Sequence, residues 1–214
     1  MIHHPIGDEM LLNYAAGRLP AAQDLLVATA VSLDDDARAR LGGFDALGGI
    51  LLEDTGETEI APDALDAVMA RLDGPATSGR AASSSGAVLP QPLRDAVGGD
   101  LEAVRWRPVG MGVRQCVIDL GEDDGGVARL LSIPAGHAMP DHGHGGTEFT
   151  LVLQGAFLDG DARFARGDLE VASEADEHTP TAEAGEDCIC LVVTDAPLRF
   201  SGFLPRIAQR FLKI

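Results

Sequence analysis

Between residues 74 and 92 the chain loses all periodicity. The segment GPATSGRAASSSGAVLPQP is built from Gly, Ser, Ala and Pro, the composition of a flexible linker. The flanking regions repeat with different periods. Upstream, residues 8–73 carry apolar side chains every three or four positions, the spacing of helices that each bury one stripe. Downstream, from residue 93, apolar residues come in short runs broken by Gly, Asp and Pro, the pattern of strands joined by tight turns. A change of period across a linker restricts the chain to two domains of different class. Residues 1–73 form a helical domain, 74–92 the linker, and 93–214 a sandwich or barrel, so the fold class is α + β.

Four helices are expected upstream. DEMLLNYAAGRL sets Met10, Leu11, Tyr14 and Ala15 on one face, and Gly17 marks its end. PAAQDLLVATAVSL opens on Pro20 and repeats apolar side chains at Ala22, Leu25, Leu26, Ala30 and Leu33. A third helix carries Leu41, Phe44, Leu47 and Leu51. The fourth, PDALDAVMARL, places Leu65, Val68, Met69 and Leu72 on one stripe, with Asp63 near its positive N-terminal end. Four short helices make a small core. Apolar faces are left over, and a partner is expected to complete the fourth.

The partner's character follows from charge. With 34 acidic against 16 basic side chains the formal charge is −18, which repels nucleic acid and anionic lipid and favours a basic protein surface. Aromatic residues are only 4% of the chain, which argues against a base-stacking platform or an aromatic-lined cofactor pocket. No leader-type segment opens the sequence and no apolar run is long enough to span a bilayer. Three cysteines in no framework spacing fit a reducing compartment, so a cytoplasmic location is expected.

The strand candidates downstream are RQCVIDL, VARLLSI, TEFTLVL, CICLVVT and PLRFSGF. The chemistry is concentrated in GHAMPDHGHGGTEFTLVLQG, residues 136–155. His142 and His144 are two apart, which on a strand puts both imidazoles on one face. Glu148 has the same parity and joins that face if the strand continues past Gly145 and Gly146. Two imidazoles and a carboxylate suit a divalent first-row metal. His137 is off this pattern and reads as a surface residue.

This segment resembles the first cupin motif, G-x5-H-x-H-x3-E-x6-G, at Gly136, His142, His144, Glu148 and Gly155. Gly167 and His178 match the second motif, while Ser173, Ala175 and Ala182 replace its Pro, inner Gly and Asn. The resemblance implies a cupin β-barrel, or jelly roll, holding one divalent metal through His142, His144, Glu148 and His178.

A further resemblance spans nearly the whole chain. HHPIGDEMLLNYAAGRLPAAQDLLVATAVSL, LEAVRWRPVGMGVRQ, PDHGHGGTEFTLVLQGAF, EHTPTAEAGEDCICLVVTDAPLRF and FLPRI are similar to the ChrR anti-sigma factors. This implies a helical anti-sigma domain that binds an extracytoplasmic-function (ECF) sigma factor, joined to a cupin-like domain linked to sensing singlet oxygen and related oxidants. It implies zinc as the cupin metal; iron, manganese and nickel are the other ions such ligands hold. The family's helical domain also holds a zinc through an early His and an H-x3-C-x2-C motif. The early His corresponds to His4, but the later positions here are Ala30, Asp34 and Ala37. His3 and His4 alone are not a structural zinc site, and Asp34, Asp35 and Asp36 read as a solvated helix end. The helices must then rely on side-chain contacts or on the partner.

Cys188 and Cys190 alternate with Ile189 and face one side of a strand, either as a redox-sensitive pair or as two small buried hydrophobes. Cys116 reads as core. The function expected is an anti-sigma factor that sequesters an ECF sigma factor and releases it on an oxidative or small-molecule signal. It is not expected to be an enzyme, and no catalytic residue is assigned. The alternatives are a dioxygenase-like cupin metalloenzyme and a cupin ligand-binding module without sigma binding.

Overall fold

The computed structural model describes residues 1–72, 86–121, 125–139, 142–143, 146–173, 179–195 and 199–200, the pairs 142–143 and 199–200 by their backbone alone. The first four helices are α1 (Asp8–Ala15), α2 (Ala21–Leu33), α3 (Asp35–Glu53) and α4 (Ala64–Leu72). Asp8 and Glu9 occupy the first turn of α1, where acidic groups oppose the helix dipole, and the chain leaves the helix through Gly17 at φ +62°. Pro20 precedes α2 in extended conformation. Asp34 caps α3, its Oδ1 accepting the N–H of Asp36 at 3.0 Å. Arg40 ties α3 back to the N-terminal segment by donating to the Ile6 carbonyl at 2.9 Å and pairing with Asp36 on its own helix at 3.1 Å.

The stretch 86–92, linker by composition, carries defined structure. Asp100 accepts the N–H groups of Val88 and Leu89 at 2.9 and 2.8 Å. Leu89 is buried, and α5 (Gln91–Val97) places Leu93 in the core. Pro90 and Pro92 suit the start of a helix, where no N–H is required of them. Leu89 and Leu93, four apart, anchor a segment whose composition alone signals flexibility. The rest of that stretch, 73–85, lies outside the described residues.

The β region follows as β1 (Arg107–Gly110), β2 (Val113–Val117), β3 (Val127–Ile133), β4 (His142–Gly143), β5 (Glu148–Gln154), β6 (Ala156–Asp159), β7 (Ala162–Ala165), β8 (Leu169–Ala172), β9 (Thr181–Ala182), β10 (Cys188–Thr194) and β11 (Arg199–Phe200). Six strands form one antiparallel sheet in the order β1-β2-β3-β10-β5-β8. A second sheet runs β7-β6-β9, and β4 pairs with β11. Two packed antiparallel sheets are the cupin-like architecture expected.

Strand β10 sits inside the larger sheet, and all its residues are buried. Its alternate residues serve two cores. Ile189, Leu191 and Val193 join Leu130, Leu151 and Leu153 on the outer face, against Leu25, Leu26 and Val27 of α2 and Leu93 of α5. Cys188, Cys190 and Val192 face the other way, with Ile133, Val152, Phe157 and Phe164. Helix α2 is thus completed by the barrel, and the two domains share a continuous apolar core. Helix α4 is not completed: none of its side chains is buried.

Candidate metal centre

Strand pleating decides what lines the barrel interior. Ala128 and Leu130 of β3 contact the helices, while Leu131 contacts the interior cluster, so Arg129 takes the inward parity. The register then sets a row across four strands. Arg129 pairs with Val192, Val192 with Thr150, and Thr150 with Glu170. One step along β5 lies Glu148, paired with Thr194 on one side and Ala172 on the other.

Glu148 is only 7% exposed. The hydroxyl of Thr150 donates to its Oε1 at 3.4 Å. A buried carboxylate facing a barrel interior is the anionic donor a divalent ion requires, so Glu148 fits the metal role. Of the other three expected ligands, His142 is described by its backbone, which pairs with Phe200. Its imidazole, His144 and His178 lie outside the described residues. Among the described residues, no three His, Cys, Asp or Glu side chains gather to hold an ion. The strand expected to carry His142 and Glu148 together does not continue: β4 ends at Gly143, β5 begins at Glu148, and the two belong to different sheets. Any shared face of these residues is a product of barrel closure rather than of one strand's pleat.

The interior is strongly polar on this side. Burial pulls the Arg129 guanidinium below its ordinary pKa, and the negative charge of Glu148 partly restores it. The Sγ atoms of Cys188 and Cys190 are 3.6 Å apart, and both are buried. The hydrogen bond with Cys188, then burial, then the negative charges of Glu170 and Glu148 push the Cys190 thiol well up. A thiol held protonated and out of solvent is a poor nucleophile. The buried-hydrophobe reading of this pair therefore prevails in the resting protein. His137 is exposed, as expected.

The helical-domain positions do not fit a second metal. Ala30 and Ala37 are buried in the core shared with the barrel, and neither offers a donor. Asp34 is engaged in capping α3. The His4 ring lies 4.4 Å from that of Phe164, in the barrel. Apolar contact occupies the positions where the resemblance places ligands.

Asp168, Arg129 and Glu170, polar residues outside the motif, also shape this region. Asp168, 1% exposed, accepts the backbone N–H groups of His3 and His4 through Oδ1 at 2.6 and 2.8 Å and that of Ala165 through Oδ2 at 2.9 Å. The N–H of Leu169 donates to the His4 carbonyl at 2.8 Å. At Gly167, φ +91°, an added Cβ would lie 2.7 Å from Ile2 Cδ1, so this turn closes onto the N-terminal segment only as glycine. A cavity of about 970 Å³ opens beside this junction, with His3, His4, Phe164, Glu170 and Thr179 on its wall. Arg129 and Glu170 carried the one signal the sequence offered, a charge at the inward parity of an apolar strand run. Asp168 carried none.

Residues 94–197 match the family model described as the ChrR cupin-like domain. Over 213 residues the chain is 51% identical to the anti-sigma-E factor ChrR of Cereibacter sphaeroides, an alignment covering 100% of this chain and 99% of that protein. The fold matches the crystal structure of Rhodobacter sphaeroides SigE in complex with the anti-sigma ChrR. The TM-score is 0.78 at 49% identity, over 91% of this chain and 99% of the matched one.

Proposed function

The chain belongs to the ChrR family of anti-sigma factors, and we propose that it sequesters an ECF sigma factor through the uncovered apolar faces of α3 and α4. It is an anti-sigma factor rather than an enzyme, as is the relative that matches it along its full length. The observation that carries the choice of surface is exposure. Leu65, Val68, Met69 and Leu72 of α4 are 52–72% exposed, and Leu47, Ile50, Leu51 and Leu52 of α3 are comparably open. Apolar side chains on helices that the described residues leave uncovered are what a binding partner buries. The formal charge of −18 adds attraction to a partner carrying basic DNA-binding surfaces.

The barrel supplies the sensing half of this reading. His142, His144, Glu148 and His178 would hold one divalent metal, zinc on the family resemblance, which polarises groups bound to it as a Lewis acid. Support comes from Glu148, whose buried carboxylate faces the interior, and from the motif spacing around it. Release of the sigma factor would follow an oxidative or small-molecule signal at this site. The shared core of α2, β3 and β10 is the mechanical route from barrel to helices. No helix among the described residues is long and apolar enough to cross a membrane. Action in the cytoplasm, where sigma factors work, is part of the proposal.

The test is co-purification of the full chain with each ECF sigma factor of its host, alongside a Val68→Glu/Met69→Glu variant. A stoichiometric complex with the parent chain, lost in a variant of unchanged melting temperature, is the expected result. Undiminished binding by the variant would refute the α3–α4 surface. A singlet-oxygen generator should release the sigma factor from the metal-loaded parent, and no release by this or any other oxidant would remove the oxidative signal from the reading.

A further inference from the structure

We propose that the barrel interior binds a small monocarboxylate through the guanidinium of Arg129. Arg129 is 4% exposed, in the middle of a strand buried on both faces. Its Nε and Nη1 have no hydrogen-bond partner among the described residues. These two nitrogens lie on different edges of the guanidinium fork, so neither edge is fully engaged. A buried guanidinium with two of its three nitrogens unpartnered is costly for a core, and it persists where something else completes it. A planar fork with an unpartnered nitrogen on each edge can still donate to the oxygens of a carboxylate.

Neighbouring groups narrow the ligand. Glu148 acts on Arg129 through its charge. Between Arg129 and Glu170 the cross-strand row holds only Val192 and Thr150. Val192 gives the row an apolar floor, and the Thr150 hydroxyl is a second polar group within it. Glu170 at the far end repels a second negative charge, so a monocarboxylate is favoured over a dicarboxylate. The placement rests on the metal reading above: Glu148, the expected metal ligand, shares a face of β5 with Thr150, whose hydroxyl donates to it. The ligand would therefore sit beside the sensing metal, in the wall that the helical domain covers from outside.

The experiment titrates the full zinc-loaded chain with acetate and glycolate, with malonate and the neutral isostere acetamide as controls, by calorimetry. Arg129→Met and Arg129→Lys are compared with the parent, with zinc content measured in every preparation. Saturable binding of acetate or glycolate is expected, with weaker malonate binding, none for acetamide, and a loss of tenfold or more in Arg129→Met. In the absence of carboxylate, Arg129→Met should melt above the parent, because it removes an unpaired buried charge at similar volume. A lower melting temperature for Arg129→Met would show that Arg129 is structurally paired, and would overturn the proposal. So would equal affinity for acetate and acetamide, or no saturable response to either monocarboxylate in zinc-loaded protein; the metal reading would then survive alone. Arg129-dependent acetate binding in chain that holds no zinc would support the carboxylate site while removing the metal from it.

Discussion

Asp168 and His4 are joined twice: the aspartate carboxylate accepts the His4 N–H at 2.8 Å, and the N–H of the next residue, Leu169, donates to the His4 carbonyl at 2.8 Å. The first residues of the helical domain are thereby held to the turn between β7 and β8, at the barrel's edge. The contact links the domain proposed to grip the sigma factor to the one proposed to sense.

This junction should be acid-sensitive. Burial alone would raise the Asp168 pKa, but the N–H groups of Ala165, His4 and His3 outweigh it and hold the carboxyl below its ordinary range. A carboxyl with a depressed folded-state pKa contributes stability at neutral pH and loses it as pH falls from about 4 downward. Relative to its intrinsic rate at each pH, amide exchange of residues 2–6 should therefore accelerate on acidification through that window. In Asp168→Asn it should be fast already at neutral pH. Protection that persists in Asp168→Asn would show that the carboxylate is not what holds the segment.

Helix α2 should be far less tolerant than α4. Leu26 is buried between the helices and the sheet, so Leu26→Ala is expected to cost about 2–5 kcal/mol in denaturant unfolding of the full chain. Val68→Ala, on the exposed face of α4, should change stability by no more than about 0.5 kcal/mol and act instead on sigma-factor affinity. Equal costs at the two sites would mean that α4 is covered within the chain.

Elemental analysis of the full-length protein should return about one zinc per chain, because one cupin ligand set remains and Ala30, Asp34 and Ala37 offer no second one. His142→Ala combined with Glu148→Ala should remove it. Two tightly bound ions per chain, or full retention in the double variant, would contradict the assignment.

Alkylation should discriminate among the cysteines. Cys116 is partly exposed, while Cys188 and Cys190 are buried and the Cys190 thiol is held protonated. Iodoacetamide should label Cys116 first and reach the other two only as the protein unfolds. Rapid labelling of Cys190 in the native state would restore the redox-pair reading.

Much of this architecture was legible locally. VARLLSI and CICLVVT became β3 and β10 residue for residue, because strand pleating is a property of the chain itself. The four N-terminal helices were equally readable from their stripes and from stop signals such as Gly17. Motif spacing singles out Glu148, which the structure buries at the start of β5, on a different strand from His142.

What the sequence by itself determined was which residues form the N-terminal helices and the longer strands. Only the tertiary structure decided which apolar stripes meet. Leu26 and Leu191 are both strongly apolar, and nothing local indicates that one covers the other. The stripe on α4 reads as well as that on α2, yet α2 is buried by the sheet and α4 stays open. The stretch 86–92 has the composition of a linker yet is anchored for the same reason, since Leu89 and Leu93 pack into a core built from partners distant in sequence. Arg129 belongs here as well. Its inward parity is a local fact, but that its Nε and Nη1 find no hydrogen-bond partner among the described residues follows from register across four strands, which is set only when the sheet assembles.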